Sequence, residues 1–300
     1  MTGSLFIFGL GYSANAFATQ MLARGWQVSG STRSEAKARA LRKAGFDPVI
    51  YDVKASATIE AKLKQADAVL VSIAPDVNGA KPDVAFGGDV VLQDFGDIIT
   101  TQLQHPWIGY LSTVGVYGNH DGAWVDETTQ CRPVSKRSTA RVAAENAWLE
   151  AAENAQLPLC VFRLSGIYGP GRNPLEKVAR GAGRRIDKPG QVFNRIHVND
   201  IATALASGIE KQASGIFNIT DDEPAPPQDV VTYAAKLLDV AVPPLIPFEE
   251  ADLSPMGRSF YGENKRVSNQ KSKDVLGMQY EIPDYRAGMK RALADLRQGQ

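Results

Sequence analysis

Leu5-Phe6-Ile7-Phe8-Gly9-Leu10-Gly11-Tyr12-Ser13-Ala14 decides how this chain folds. Four consecutive apolar residues read as a strand buried on both faces. The next six form a G-x-G-x-x-A turn that opens a helix. Downstream, Ala14, Phe17, Ala18, Met21 and Leu22 recur at i, i+3, i+4, i+7 and i+8, one face of an amphipathic helix, and Gly25 supplies its stop. In such a strand–turn–helix unit the first glycine makes the tight turn and the second lets the backbone approach a pyrophosphate. The small third residue lets the helix pack close to the strand. The helix N-terminus then turns free N–H groups and a partial positive charge toward the phosphate oxygens. Gly9, Gly11, Tyr12, Ser13 and Ala14 are therefore candidate dinucleotide-binding residues.

Working outward, further strands are expected at Gln27–Thr32, Pro48–Tyr51, Ala68–Ile73, Trp107–Ser112 and Leu159–Leu164. Helical stretches lie between most of them, the clearest from about Lys136 to Asn154. Strands apolar on both faces and joined by long crossovers imply a doubly wound parallel α/β sheet of Rossmann type. Past Gly166 glycine and proline rise, and one more strand-like run, Gly215–Ile219, follows. Residues 1–165 are expected to form the dinucleotide-binding domain, with 195–222 returning to the sheet. Residues 166–194 and 223–300 are then a smaller substrate-side lobe.

The tip of the second strand chooses the cofactor. NAD sites place Asp or Glu about 20 residues beyond the turn, on the ribose 2′-hydroxyl. Here the strand ends Gly30-Ser31-Thr32-Arg33-Ser34, without a carboxylate. Arg33 can clasp a 2′-phosphate, with the Ser31, Thr32 and Ser34 hydroxyls nearby as donors, so NADP is expected over NAD. Asp52 contacts the adenine or closes a turn; the residues alone allow either. Ser72 and Ala74 at the end of the fourth strand, and Gly166 after the sixth, complete the cofactor candidates.

Composition bounds the rest. Thirty-three basic residues balance thirty-three acidic ones, so the overall field attracts neither nucleic acid nor anionic membrane. Cys131 and Cys160 make no disulfide framework, and Cys160 sits in an apolar run that reads as core. With three histidines and no Cys/His cluster at ligand spacing, a metal site is not expected. Neither a signal peptide nor an apolar run near the roughly 20 residues of a membrane span is visible, so a cytoplasmic location is expected.

Four ordered motifs carry a resemblance: the glycine turn, Leu111–Gly118 (LSTVGVYG), Arg163–Gly171 (RLSGIYGPG) and Arg195–Ile201 (RIHVNDI). Together they resemble the extended short-chain dehydrogenase/reductase family of nucleotide-sugar epimerases, dehydratases and reductases, over nearly the whole chain. The resemblance implies a catalytic hydroxyl at Thr113, or at Ser112 if the register differs by one; alternatively both merely cap the strand end. It also implies a Tyr acid/base with a Lys four residues later. Those positions hold Arg137 and Arg141. Arg141 can replace the lysine's charge and its ribose contact. Arg137 cannot replace a tyrosine, because a guanidinium with a pKa above about 12 shuttles no proton near neutrality. The chain thus resembles atypical members that have lost the Tyr/Lys pair.

Three readings of this departure stay open. Tyr117 or Tyr168 reaches the nicotinamide face; the two arginines bind an anionic substrate; or they form a solvated helix face with an Arg141–Glu145 pair. Tyr168, Arg258 and Arg266 are the substrate candidates. His197 reads as a packing residue, and Asn199 or Asp200 as a helix N-cap. The expected function is an NADP(H)-dependent oxidoreductase or epimerase-like enzyme on a small polar or nucleotide-linked substrate. The alternative is a non-catalytic NADP-binding sensor or scaffold. A homodimer through the crossover helices before and after the fifth strand follows only by analogy.

Overall fold

The computed structural model describes residues 2–52, 54–77 and 86–298. Strands β1 (Ser4–Phe8), β2 (Gln27–Thr32), β3 (Asp47–Ile50), β4 (Ala68–Val71) and β5 (Trp107–Thr113) come first in the chain. A short β6 (Trp124–Val125) separates them from β7 (Leu159–Leu164), β8 (Gly166–Tyr168), β9 (Arg185–Asp187), β10 (Arg195–His197) and β11 (Gly215–Ile219). Two further short strands are β12 (Leu245–Pro247) and β13 (Arg266–Val267). Seven of these form one sheet in the order β3-β2-β1-β4-β5-β7-β11, and every pairing in it is parallel. The order reverses at β1 and β4, which leaves a crevice above their carboxyl ends, where such sheets bind ligands.

Helices cover both faces. On one, α1 (Tyr12–Ala23), α2 (Glu35–Lys43) and α7 (Val198–Glu210) enclose Leu5, Ile7, Phe17, Met21, Leu41, Trp107, Phe162 and Leu205. On the other, α3 (Ala57–Leu63), α4 (Val90–Asp97) and α5 (Lys136–Ala155) cover Phe6, Phe8, Phe95, Tyr110 and Trp148. Phe6 and Phe8 therefore face one layer while Leu5 and Ile7 face the other, as period-two alternation requires of a strand buried on both sides. Cys160 is fully buried in the first layer, and its thiol donates to the Ala213 carbonyl.

Element bounds differ from expectation chiefly at β4, which ends at Val71. Ser72 still donates to the Phe8 carbonyl, but Ile73 belongs to the turn passing Gly9. Beyond β7 the chain leaves the main sheet. β8 pairs with β10, β9 with β12 and β6 with β13, each as a two-stranded parallel ladder. Helices α6 (Pro174–Ala179), α8 (Pro227–Leu237) and α11 (Tyr285–Gln298) pack around Tyr168, Leu175, Ala234, Ile282 and Met289. The short α9 (Pro255–Phe260) and α10 (Gln270–Leu276) complete the described α-helices. No described helix is long and apolar enough to cross a membrane.

Candidate functional site

The turn between β1 and α1 is built for close backbone approach. Gly9 has φ +87°, and a Cβ there would stand 2.9 Å from Ile73 Cγ1, so only glycine fits. Its N–H donates to the Ser31 hydroxyl at 2.9 Å, and Leu10 N–H donates to the Ser31 carbonyl, which ties the turn to β2. Gly11 differs. A Cβ there would meet nothing nearer than the Gly9 carbonyl at 3.8 Å, so the space above it is open.

No side chain caps α1. Its first-turn N–H groups are thus left for something else, whereas α2 to α7 are each capped: by Ser34, Ser56, Asp89, Ser135, Asn173 and His197 in turn. An open cradle beneath an uncapped helix N-terminus is the geometry a pyrophosphate fits. Ser13 and Ala14 are buried behind it, and Tyr12 is half out, its hydroxyl donating to the Pro170 carbonyl at 2.9 Å.

At the tip of β2, Thr32 is buried and Arg33 exposed. Arg33 makes no hydrogen bond or ion pair with any described residue. The first acid beyond it, Glu35, is held by Arg42. The Ser34 hydroxyl accepts from Lys37 N–H as the α2 cap but keeps its own proton to donate. Asp52 and Ala74 are exposed and Ser72 is partly so, all beyond the carboxyl ends of β3 and β4.

The two hydroxyls ending β5 have different fates. Ser112 is buried, and its hydroxyl donates to the Glu145 carboxylate. Glu145 also takes the Arg163 guanidinium, with Nη2 at 2.7 Å and Nε at 3.2 Å from Oε2. The opposite edge of Arg163 donates to the Tyr117 hydroxyl at 3.0 Å, and Tyr117 donates on to Asn218 Oδ1 at 2.8 Å. Burial, and the loss of hydration it brings, pushes the Tyr117 hydroxyl up to about 12 despite Arg163 beside it. Tyr117 is completely buried, so the expectation that it reaches the cofactor face is corrected: its hydroxyl is turned into the protein.

Thr113, by contrast, is partly exposed, and its hydroxyl accepts from Gly115 N–H at 3.1 Å. Beside it lies Ser138, which the sequence did not single out. A Cβ on Gly115 would be 3.1 Å from Ser138 Oγ and 3.4 Å from Thr113 Oγ1, so both hydroxyls crowd the same glycine.

The two α5 arginines also separate. Arg137 is exposed, and its guanidinium stands 5.8 Å from the centre of the Phe260 ring. Arg141 donates to the Leu111 carbonyl at 2.7 Å and to the Tyr110 hydroxyl at 3.0 Å. It is neither a solvated cation nor the partner of Glu145; the expected i, i+4 pair loses to Arg163, which reaches Glu145 from β7 inside the core.

Past β7, Gly166 is exposed at the strand end and lies opposite Arg195 in the β8–β10 register. Tyr168 points away from the crevice. It is buried against Gly288 and the edge of the His197 ring, and burial raises its hydroxyl well above the usual range, which corrects its assignment to the cofactor face. The cap of α7 is His197, whose Nδ1 accepts from Asn199 N–H, rather than Asn199 or Asp200. The Asp200 carboxylate instead accepts from the N–H groups of Glu281 and Ile282 and pins the segment before α11. Arg258 and Arg266 are both committed to backbone. Arg258 donates to the Ala251 carbonyl at 3.0 Å with its guanidinium over Phe248, and Arg266 donates to the Gly122 carbonyl.

The doubly wound parallel sheet, with its open cradle under an uncapped first helix, defines a dinucleotide-binding protein. The model of the NAD dependent epimerase/dehydratase family matches residues 6–220, and the chain belongs to that family, whose members bind NAD(P). Protein YeeZ of Escherichia coli strain K12 is 29% identical over 287 residues, covering 93% of this chain and 96% of its own. A conserved protein of unknown function from Silicibacter pomeroyi superposes with a TM-score of 0.87 at 44% identity, covering 98% of this chain and 99% of its own. The human epimerase family protein SDR39U1, solved with NADPH, superposes with a TM-score of 0.72 at 19% identity, over 97% and 99% of the two chains, and shares the fold.

Proposed function

We propose that the protein is an NADP(H)-dependent oxidoreductase or epimerase-like enzyme acting on a small polar or nucleotide-linked substrate. The observation that carries this reading is the pairing of two features. One is the uncapped α1 N-terminus above the open space at Gly11; the other is an exposed, unpartnered Arg33 at a β2 tip that lacks a carboxylate. Gly9, Gly11 and the first turn of α1 hold the pyrophosphate. Arg33, with the Thr32 and Ser34 hydroxyls, holds a 2′-phosphate. The cofactor, when bound, supplies or accepts a hydride. Thr113 then presents its hydroxyl to a substrate oxygen, and the Ser138 hydroxyl beside it is a second donor. Arg137 attracts anionic substrate groups at the rim.

Calorimetric titration with NADPH and NADH, repeated on Arg33→Ala, tests this assignment. NADPH is expected to bind more tightly, with the preference lost in the variant. Equal binding of the two by the unmodified protein would sink the Arg33 assignment.

A second reading, an NADP-binding sensor or scaffold without turnover, is favoured by one arrangement. Arg137 and Arg141 stand where family enzymes carry Tyr and Lys, Tyr117 and Tyr168 turn inward, and Arg141 is spent on β5. Cofactor binding without NADPH oxidation across aldehydes, ketones and nucleotide sugars would select this second reading.

A further inference from the structure

Arg195 is held at the end of the sheet in an unusual way. Its Nη1 donates to two carbonyls, Phe193 at 2.9 Å and Ala225 at 3.1 Å, which fixes the plane of the guanidinium. Nε and Nη2, the edge that forks onto carboxylates, bond to no described residue, and neither is among the fully enclosed polar atoms. Two tyrosine hydroxyls share this state. Tyr261 packs its ring on Phe193 at 5.1 Å, and Tyr285 packs against Ala225. Both rings are buried, yet neither hydroxyl has a protein partner or is sealed off. Asp221, whose N–H donates to the Arg195 carbonyl, is almost wholly buried, and its Oδ2 has no partner at all. Asp221 and Arg195 are each other's leading charge partner but form no ion pair within 4.0 Å. A buried carboxyl beside an unpaired guanidinium edge leaves both short of a partner.

We propose that this cluster is a carboxylate-binding subsite, with the Nε/Nη2 edge of Arg195 as its anchor and the Tyr261, Tyr285 and Asp221 side chains around it. It rests on the functional reading above and deepens it by naming a carboxylic acid as the substrate class. One guanidinium edge matches a planar group with two oxygens and one charge. A phosphate dianion would ask for a second cation; Lys188, on the Tyr261 segment, is taken by the Tyr261 carbonyl, and Arg286, beside Tyr285, is paired with Glu223. Burial raises the Asp221 carboxyl to about 8, so near neutrality it keeps its proton and does not repel an anion at Arg195. The register places the Arg195 backbone opposite Gly166, just past the carboxyl end of β7 and so at the same end of the parallel sheet as the dinucleotide turn.

Calorimetric titration of the protein with benzoate, benzyl alcohol and inorganic phosphate, with and without saturating NADPH, tests the subsite. Benzoate is expected to bind at millimolar concentration and benzyl alcohol much more weakly. Arg195→Met should weaken benzoate about tenfold or more. Tyr285→Phe, which removes one oxygen and keeps the ring, should weaken it about threefold with an unchanged unfolding midpoint, which separates recognition from misfolding. The proposal is overturned if benzoate does not bind, if benzyl alcohol binds equally, if both variants bind benzoate like the unmodified protein, or if phosphate binds more tightly than benzoate. A chain that binds no dinucleotide but holds benzoate through Arg195 would lose the functional reading and keep the subsite. The converse result would lose the subsite alone.

Discussion

Glu145→Ala is the substitution whose cost the structure defines most sharply. The Arg163 guanidinium and Glu145 carboxylate are 5% and 2% exposed, joined at 2.7 Å, and the same carboxylate accepts the Ser112 hydroxyl. Removing the acid leaves a buried cation without its carboxylate, facing neutral groups such as the Tyr117 hydroxyl, and a buried serine without its acceptor. Breaking a buried pair from one side costs about 3–5 kcal/mol, because the surviving charge stays desolvated and unpaired. Against a total stability of about 5–15 kcal/mol for a domain, that is a large share. Urea unfolding followed by far-UV circular dichroism measures it. Adding Arg163→Met removes the stranded charge and fills its volume, so the double variant should recover stability relative to Glu145→Ala. A single-variant cost under about 1 kcal/mol, or strict additivity of the two, would falsify the view that this is a desolvated, mutually dependent pair.

Other outcomes follow from the same geometry. Gly9→Ala should destabilise the fold by about 1–3 kcal/mol, since it combines a positive φ with a 2.9 Å contact to Ile73, and thermal unfolding reads this directly. Gly11→Ala, placed in open space at an ordinary φ of −86°, should leave the unfolding midpoint unchanged and abolish dinucleotide binding by filling the cradle. Arg33→Ala should lower NADPH affinity about 10- to 100-fold in calorimetry while leaving NADH affinity alone, the worth of charge-assisted hydrogen bonds to a 2′-phosphate. Burial raises Asp221 from 3.8 to about 8, so the native state holds a proton that the unfolded chain releases across that window. Stability should therefore fall as pH rises from 4 through 8, and urea midpoints for Asp221→Asn should lack this component, worth a few kcal/mol at most; identical pH profiles for the two proteins would contradict it.

What the sequence made legible was local. The Leu5–Phe8 run, the glycine turn and the Ala14–Met21 face lie within seventeen consecutive residues, where periodicity and turn chemistry speak directly. The exposure of Arg33 follows from its place one residue past a strand end. Pairings between distant elements were out of reach. Arg141 and Glu145 are four apart on one helix, so a surface ion pair was the natural expectation. Only the position of β7 beside β5 gives Arg163 the better claim on Glu145 and sends Arg141 to Leu111 and Tyr110. His197 as a cap was hidden for a different reason. Asn and Asp outrank histidine as caps by propensity, but Asp200 is drawn off by the Glu281 and Ile282 N–H groups, which come from 81 and 82 residues away. The unpartnered edge of Arg195 has no sequence signal, since its neighbours come from the loop before β10, the segment before α8, and the starts of α11 and of the stretch after α9.

The buried network behind β5 also constrains the chemistry in front of it. Ser112 is locked to Glu145, and Glu145 to Arg163, so of the two strand-end hydroxyls only Thr113 remains for a ligand. Arg163 holds the Tyr117 hydroxyl inward, where its raised pKa and full burial remove it from proton traffic. A threonine hydroxyl with a serine beside it can align and polarise an oxygen, but neither releases a proton near neutrality as a tuned acid does. Hydride transfer at this site, as proposed above, would have to draw its proton from the substrate's own groups or from solvent at the exposed rim near Arg137.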